Sequence, residues 1–223
     1  MIVSFASSKG GVGKSTTCAA IAAKWAQDGR SVLVLDLDLN QTVARWAKKA
    51  AMPGLEAIAL APEAFSGVFR DRAGDFDHVL IDLAGTREAT LLKAMARSDL
   101  VIIPAQASEP DLREALVIID DIADVVEAGA AHVQYRLLLT KLFPLPTRVT
   151  MFAHREIARH KMLRFKTGLV ERAQYREMFL TGKAPTVAEP KGKAAREIVA
   201  LATEIEAIGA ERLKAAAKKG RAA

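Results

Sequence analysis

Near the start of the chain, Ser8-Lys9-Gly10-Gly11-Val12-Gly13-Lys14-Ser15-Thr16 gathers three glycines, two lysines and two adjacent hydroxyls after Ser8. Glycines let a backbone curl so that successive N–H groups point inward at one anion, where Cβ atoms would obstruct both the curl and the approach. A helix opening at Ser15 adds unpaired donors and the positive end of its dipole. Lys14 can then reach the β- and γ-phosphates of a nucleotide, and the Ser15 hydroxyl can coordinate Mg²⁺. The spacing departs from G-x-x-x-x-G-K-[ST] at one position, where Ser8 stands for the first glycine. A glycine-rich turn without a ligand is the plain alternative.

Three carboxylates suit the same chemistry. Asp36 and Asp38 close one apolar run, and Asp82 ends another, Val79-Leu80-Ile81-Asp82. Side chains two apart on a strand point to one side, so Asp36 and Asp38 can both face the end of the sheet where the glycine loop lies. A metal–nucleotide site needs a carboxylate in the metal's outer shell and a group to orient the attacking water. Asp82 suits the first role, and Asp36 and Asp38 are candidates for Mg²⁺ contacts and the second. For Asp36 the competing role is a cap on the following helix.

These residues need elements to hold them. Ile2–Ala6, Ser31–Asp36, Leu55–Leu60, His78–Asp82, Leu100–Pro104 and Tyr135–Thr140 are short apolar runs without alternation, as strands buried on both faces of a parallel sheet are. Between them Ser15–Asp28, Gln41–Ala50, Glu88–Ala96 and Pro110–Glu127 read as helices, with Gly29 placed to close the first. Beyond Thr140 the sequence predicts a basic helix over Thr147–Arg164, a short strand at Leu169–Val170, a helix over Arg172–Leu180 and a last helix from Gly192 to Lys219. The expected fold is one α/β domain over residues 1–223: a mostly parallel twisted sheet of about seven strands with helices on both faces. The Ala- and Lys-rich end, 214–223, is expected to fray.

Composition narrows the class. Just over half of the 223 residues are hydrophobic, enough for a sizeable core. No apolar run reaches the length of a bilayer span, and the start has neither a basic leader nor a long apolar stretch with a cleavage site. A cytoplasmic protein without stable membrane insertion is expected. The single cysteine, Cys18, leaves no internal disulfide or multi-cysteine metal site, and His132, His154 and His160 are too scattered for a metal centre. Charge is uneven: residues 1–130 hold 13 Lys and Arg against 18 acids, net −5, and residues 131–223 hold 19 against 8, net +11. Such a split fits a polyanion partner, or a solvated basic face.

The run Lys9-Gly10-Gly11-Val12-Gly13-Lys14-Ser15-Thr16 resembles the deviant Walker A motif of the ParA/MinD superfamily. The likeness covers most of the chain and is greatest to the small ParF-like ParA proteins. It extends to Trp46, Ala84-Gly85-Thr86, Ser98 to Pro104, Pro110-Asp111-Leu112 and Tyr175 to Gly182. Two departures stand out: Leu39-Asn40 replaces the usual Pro-Gln, and Leu139-Thr140-Lys141 stands where many relatives have Asn.

The resemblance implies ATP and Mg²⁺ as cofactors and hydrolysis as the reaction. Gly10, Gly11, Val12, Gly13, Lys14, Ser15 and Thr16 would bind the nucleotide with Thr140 and Lys141 at the base end. Ser15, Asp36 and Asp82 would serve the metal, and Lys14 and Asp38 the reaction, Asp38 by orienting water. Lys9 would reach across a two-fold interface to the nucleotide of a second copy, making a homodimer on ATP binding. Arg172, Arg176, Lys191, Lys193 and Arg196 fall where ParA-like dimers hold DNA non-specifically. A cargo-bound adaptor would stimulate hydrolysis, so that plasmid, chromosome or protein cargo is segregated or positioned, with nucleoid association in the ATP state. Beginning almost at the glycine loop, the sequence lacks the N-terminal helix-turn-helix of larger relatives. A MinD-like membrane switch is one alternative, disfavoured because only Leu213 is bulky and apolar after Ile208. A metabolic P-loop enzyme is the other, with no use for Lys9.

Overall fold

A computed structural model describes residues 1–85 and 89–220 of the chain. In chain order the main elements are β1 (Ile2–Phe5), α1 (Lys14–Gln27), β2 (Val32–Asp36), α2 (Thr42–Ala50), β3 (Leu55–Ala59), α3 (Phe65–Arg72), β4 (His78–Asp82), α4 (Ala89–Ala96), β5 (Leu100–Gln106), α5 (Glu109–Glu127), β6 (Gln134–Thr140), α6 (Arg148–Arg159), α7 (Gln174–Thr181), α8 (Pro185–Ala188) and α9 (Lys193–Gly220). The strands form one parallel sheet in the order β3-β2-β4-β1-β5-β6.

Continuous apolar strands work here because each feeds two cores. Val32 and Val34 of β2 enter one core with residues of α1, α2, α7 and α9. Leu33 and Leu35, pointing the other way, enter the second with residues of α3, α4, α5 and α6. Only the edge strand β3 is half-exposed along its length. Gly29 closes α1 at φ +79°, a conformation that favours glycine.

Among the described residues the sheet has six strands, not about seven. Leu169–Val170 makes a single bridge, Leu142 with Val170, and Arg164 makes another with Leu137. Between these bridges the Lys166 and Thr167 N–H groups donate to the Glu204 carboxylate, both at 2.8 Å, so the segment is a strap rather than a ladder strand. The basic helix is also shorter than expected. The Thr147 hydroxyl caps its start by accepting from Thr150 N at 3.1 Å, and it ends at Arg159 before Lys161 turns to φ 52°. The helices α3 and α8 carry no periodic apolar face long enough to predict. The last helix continues through Lys214 to Gly220. Thr86, Glu88 and residues 221–223, on which sequence expectations fell, lie outside the described residues.

Candidate functional site

The glycine loop joins the end of β1 to α1, and β1 lies between β4 and β5. Chain connections leave this point toward opposite sides of the sheet, which is where open α/β sheets bind ligands. Gly11 and Gly13 adopt φ +75° and +94°, and a Cβ at Gly10 or Gly11 would meet nothing within 4 Å. The loop is therefore curled around open space, as a phosphate cradle must be. Buried Val12 anchors it, and the Thr140 hydroxyl donates to the Val12 carbonyl at 2.7 Å. Gly85 closes over the loop: its Cβ would stand 3.4 Å from the Ser8 carbonyl and 3.9 Å from Lys14 Nζ.

The two lysines occupy different places. Lys14 is buried and its Nζ donates to the Lys9 carbonyl at 3.2 Å. Burial lowers its pKa, opposed by the nearby Asp82 and Asp38. The Lys9 side chain instead lies at the rim, 40 % exposed, with Nζ 3.4 Å from Asp111 Oδ2. The Ser108 hydroxyl donates to the same Asp111 oxygen, and the Ser8 hydroxyl donates to Glu114.

The three carboxylates also separate. Asp36 and Asp82 are partners across β2 and β4, and both are fully buried. Neither Asp82 oxygen has a hydrogen-bond partner. Burial pushes its carboxyl up to about 7; the Ser15 hydroxyl, lying close without completing a hydrogen bond, and the Lys14 ammonium work against that rise. A buried, orphaned carboxylate beside a hydroxyl and an ammonium suits a cation, so Ser15 and Asp82 fit the Mg²⁺ role. Asp36 is differently engaged. Its Oδ2 accepts Val43 N and Ala44 N at 2.9 Å, the first turn of α2, and its Oδ1 accepts Asp38 N at 3.1 Å. Its carboxylate thus caps a helix from seven residues upstream. Asp38 is half-buried, accepts Asn40 N at 2.8 Å and faces the cavity.

That cavity, of about 500 Å³, runs from Gly10–Thr17 past Asp38, Asn40 and Thr42 to Thr140 and Lys141. Its far wall is Leu169, Val170, Glu171, Arg172, Tyr175, Arg176 and Phe179. The volume suits a small organic ligand, with the glycine loop and Lys14 at one end and mixed apolar and charged surface at the other. Thr42 and Glu171 have no motif to announce them as cavity residues; the start of α2 brings in the first and the strap the second. Thr140 lines the cavity, but its hydroxyl is directed at the loop carbonyl.

Two of the five basic residues expected to meet DNA are already paired. Arg172 binds Glu197 with a side chain only 20 % exposed, and Arg176 pairs with Glu171. Both line the cavity. Lys191, Lys193 and Arg196 are exposed. A further basic surface lies on α6. Arg148, Arg155 and Arg159, at spacings of seven and four, share the face opposite buried Ala153 and Ile157. Residues 141–170 hold seven Lys and Arg against the single acid Glu156.

Comparison with known proteins adds to this geometry. Residues 3–217 match the family described as the CobQ/CobB/MinD/ParA nucleotide binding domain. Protein ParA of Rhizobium radiobacter is 30% identical over 146 residues, 64% of this chain and 65% of that relative. The chain thus spans less than two thirds of the length of the curated relatives it matches. Among solved structures, apo McdA from Cyanothece has a TM-score of 0.75 at 17% identity, covering 91% of this chain and 98% of that one. The septum site-determining protein MinD from Pyrococcus horikoshii OT3, complexed with Mg-ADP, has a TM-score of 0.72 at 19% identity, covering 95% and 98%. At such identities these two likenesses speak to the fold. No helix among the described residues is long and apolar enough to cross a membrane.

Proposed function

The chain belongs to the CobQ/CobB/MinD/ParA nucleotide-binding family, and on that footing we propose that it is a ParA-type ATPase that dimerises on ATP and works in partition or positioning. The observation carrying this reading is the division of labour between the lysines. Lys14 fills the cradle of its own loop, while Lys9 stands at the rim, its Nζ 3.4 Å from Asp111. A second lysine placed to leave its own site is of use to a second copy of the site.

In this reading Lys14 and the Gly10–Thr16 backbone clamp the phosphates of ATP. Ser15, with Asp82 behind it, would hold Mg²⁺, which would neutralise phosphate charge when bound. Asp38 orients the attacking water. Asp36 contributes by fixing the turn that carries Asp38, since its Oδ1 accepts the Asp38 N–H. The strap and α7 receive the base. Lys9 exchanges Asp111 for the phosphates of the partner subunit, closing a dimer. Joining two weakly basic faces raises affinity for duplex DNA through effective concentration. An adaptor that stimulates hydrolysis would reopen the dimer.

Light scattering on the full chain, with and without ATP and Mg²⁺, tests the scheme directly. The unaltered chain is expected to double in mass with ATP and to bind any duplex DNA only then. Lys9→Ala is expected to keep nucleotide binding but remain a monomer. ATP-dependent Lys9→Ala dimers that still bind DNA would overturn the scheme. Sedimentation with anionic liposomes, expected to be negative, separates it from a membrane switch.

A further inference from the structure

The far wall of the cavity is held by a residue that does not line it. Glu197, in the second turn of α9, receives two hydrogen bonds from Arg172 on Oε1, from Nε at 2.9 Å and Nη2 at 2.6 Å. Its Oε2 accepts the Tyr175 hydroxyl at 2.9 Å and Val170 N at 3.2 Å. Val170, Arg172 and Tyr175 all face the cavity, so one carboxylate behind the wall sets the position of three residues in it. The Arg172 and Glu197 side chains are only 20% and 15% exposed, so losing one leaves the other charge poorly solvated.

The strap needs such a support. Toward β6 it is joined by five backbone hydrogen bonds, with Leu137, Leu139 and Leu142. On its other side the N–H groups of Lys166 and Thr167 go to Glu204, two turns beyond Glu197 on the same helix. That helix is seated by Ile198, Leu201 and Ile205, all fully buried. The wall is therefore slung between β6 and α9, and Glu197 ties its cavity-facing residues to α9.

We propose that Glu197 is a positioning residue for the base end of the nucleotide, an inference that rests on reading the cavity as a nucleotide site. A flat heterocycle needs walls held to within a fraction of an ångström. A chain of phosphates alone needs only the loop after β1, which is held by α1 and by a hydrogen bond from Thr140. Loss of Glu197 thus separates base recognition from phosphate recognition.

Calorimetry on the full chain with Mg²⁺, titrating ATP and tripolyphosphate separately, makes the separation measurable. Glu197→Gln is expected to raise the dissociation constant for ATP by about tenfold, the size of a lost charge-assisted pair, and that for tripolyphosphate by less than about twofold. Tyr175→Phe, which removes one hydroxyl and leaves the ring, is expected to weaken ATP alone by a smaller factor, and it carries the comparison if Glu197→Gln does not fold. Equal weakening of both ligands would reduce Glu197 to general stability and overturn the proposal, as would unchanged ATP binding. If the unaltered chain binds tripolyphosphate but gains nothing from the base, the nucleotide reading itself falls first.

Discussion

Single side chains at the site are held in states that suit a ligand better than they suit the protein alone. Asp82 is the plainest case: it is fully buried, without a hydrogen bond, and pushed up to about 7. A charge in that position costs stability until a cation arrives. Asp82→Asn is therefore expected to raise the melting temperature of the ligand-free chain by roughly 5 °C, as a gain of one to two kcal/mol would in a protein of this size. It is expected to abolish the further rise that Mg²⁺ with nucleotide produces in the unaltered chain, and thermal melts would read both effects. His78 illustrates a purely structural titration. It stacks on Trp25 with ring centroids 4.0 Å apart, and burial, then the charges of the N-terminus and Arg30, depress it to about 4. The folded value lies below the unfolded 6.5, so the stability it contributes is complete above 6.5 and is lost as pH falls toward 4. The ring is half-buried, so the loss is about 1 kcal/mol after discounting for solvent. Urea melts of His78→Phe between pH 7 and pH 4.5 are expected to show a shallower decline than the parent.

At the scale of elements, the site depends on how a strand end and a helix start are tied together. Asp36 leaves β2 and takes up two of the orphan N–H groups of α2, Val43 and Ala44, across the loop that carries Asp38. Gln41, next to the helix, offers no cap of its own. Asp36→Ala is thus expected to cost about 2 kcal/mol in denaturant unfolding with no ligand present, the upper range for a lost cap. An Asp36 that served the metal alone would leave the ligand-free stability unchanged or improved. The strap shows the complementary case, an element bonded by its backbone to β6 and the residues after it on one side and to side chains of another helix on the other. Glu197 and Glu204 take the N–H groups that a neighbouring strand would otherwise have taken.

For the whole molecule, charge separates from chemistry. The cavity end of the basic half is neutralised internally, since Arg172 and Arg176 have carboxylate partners. The arginine row on α6, about 16 Å long by helix rise, is turned outward, with Arg159 3.6 Å from Glu156. Phosphate contacts release counterions, so ATP-dependent DNA binding is expected to fall steeply with salt. Replacing Arg148, Arg155 and Arg159 together by Gln is expected to lower both the affinity and the salt slope while leaving ATP turnover without DNA unchanged. Fluorescence anisotropy from 50 to 200 mM salt would measure the slope, the range over which about six phosphate contacts produce a change of about a thousandfold.

Local pattern by itself determined much of this protein. A curled glycine loop needs glycine at particular steps, and strands of a parallel sheet read as short apolar runs, so the loop with Lys14 and Ser15, the place of Asp82 at a strand end and all six strands could be read from neighbouring residues alone. Lys9 was legible for the same reason, as it adjoins the loop. For Asp36 the sequence left two roles open, metal contact or helix cap, and the choice turned on which N–H groups α2 presents after the chain bends back. The strap could not be read either. Its partners, Glu197 and Glu204, lie 25 or more residues away and meet it only when α9 folds across the sheet. Tertiary structure decided the cavity wall because hydrogen bonds between distant segments leave no periodicity in either one.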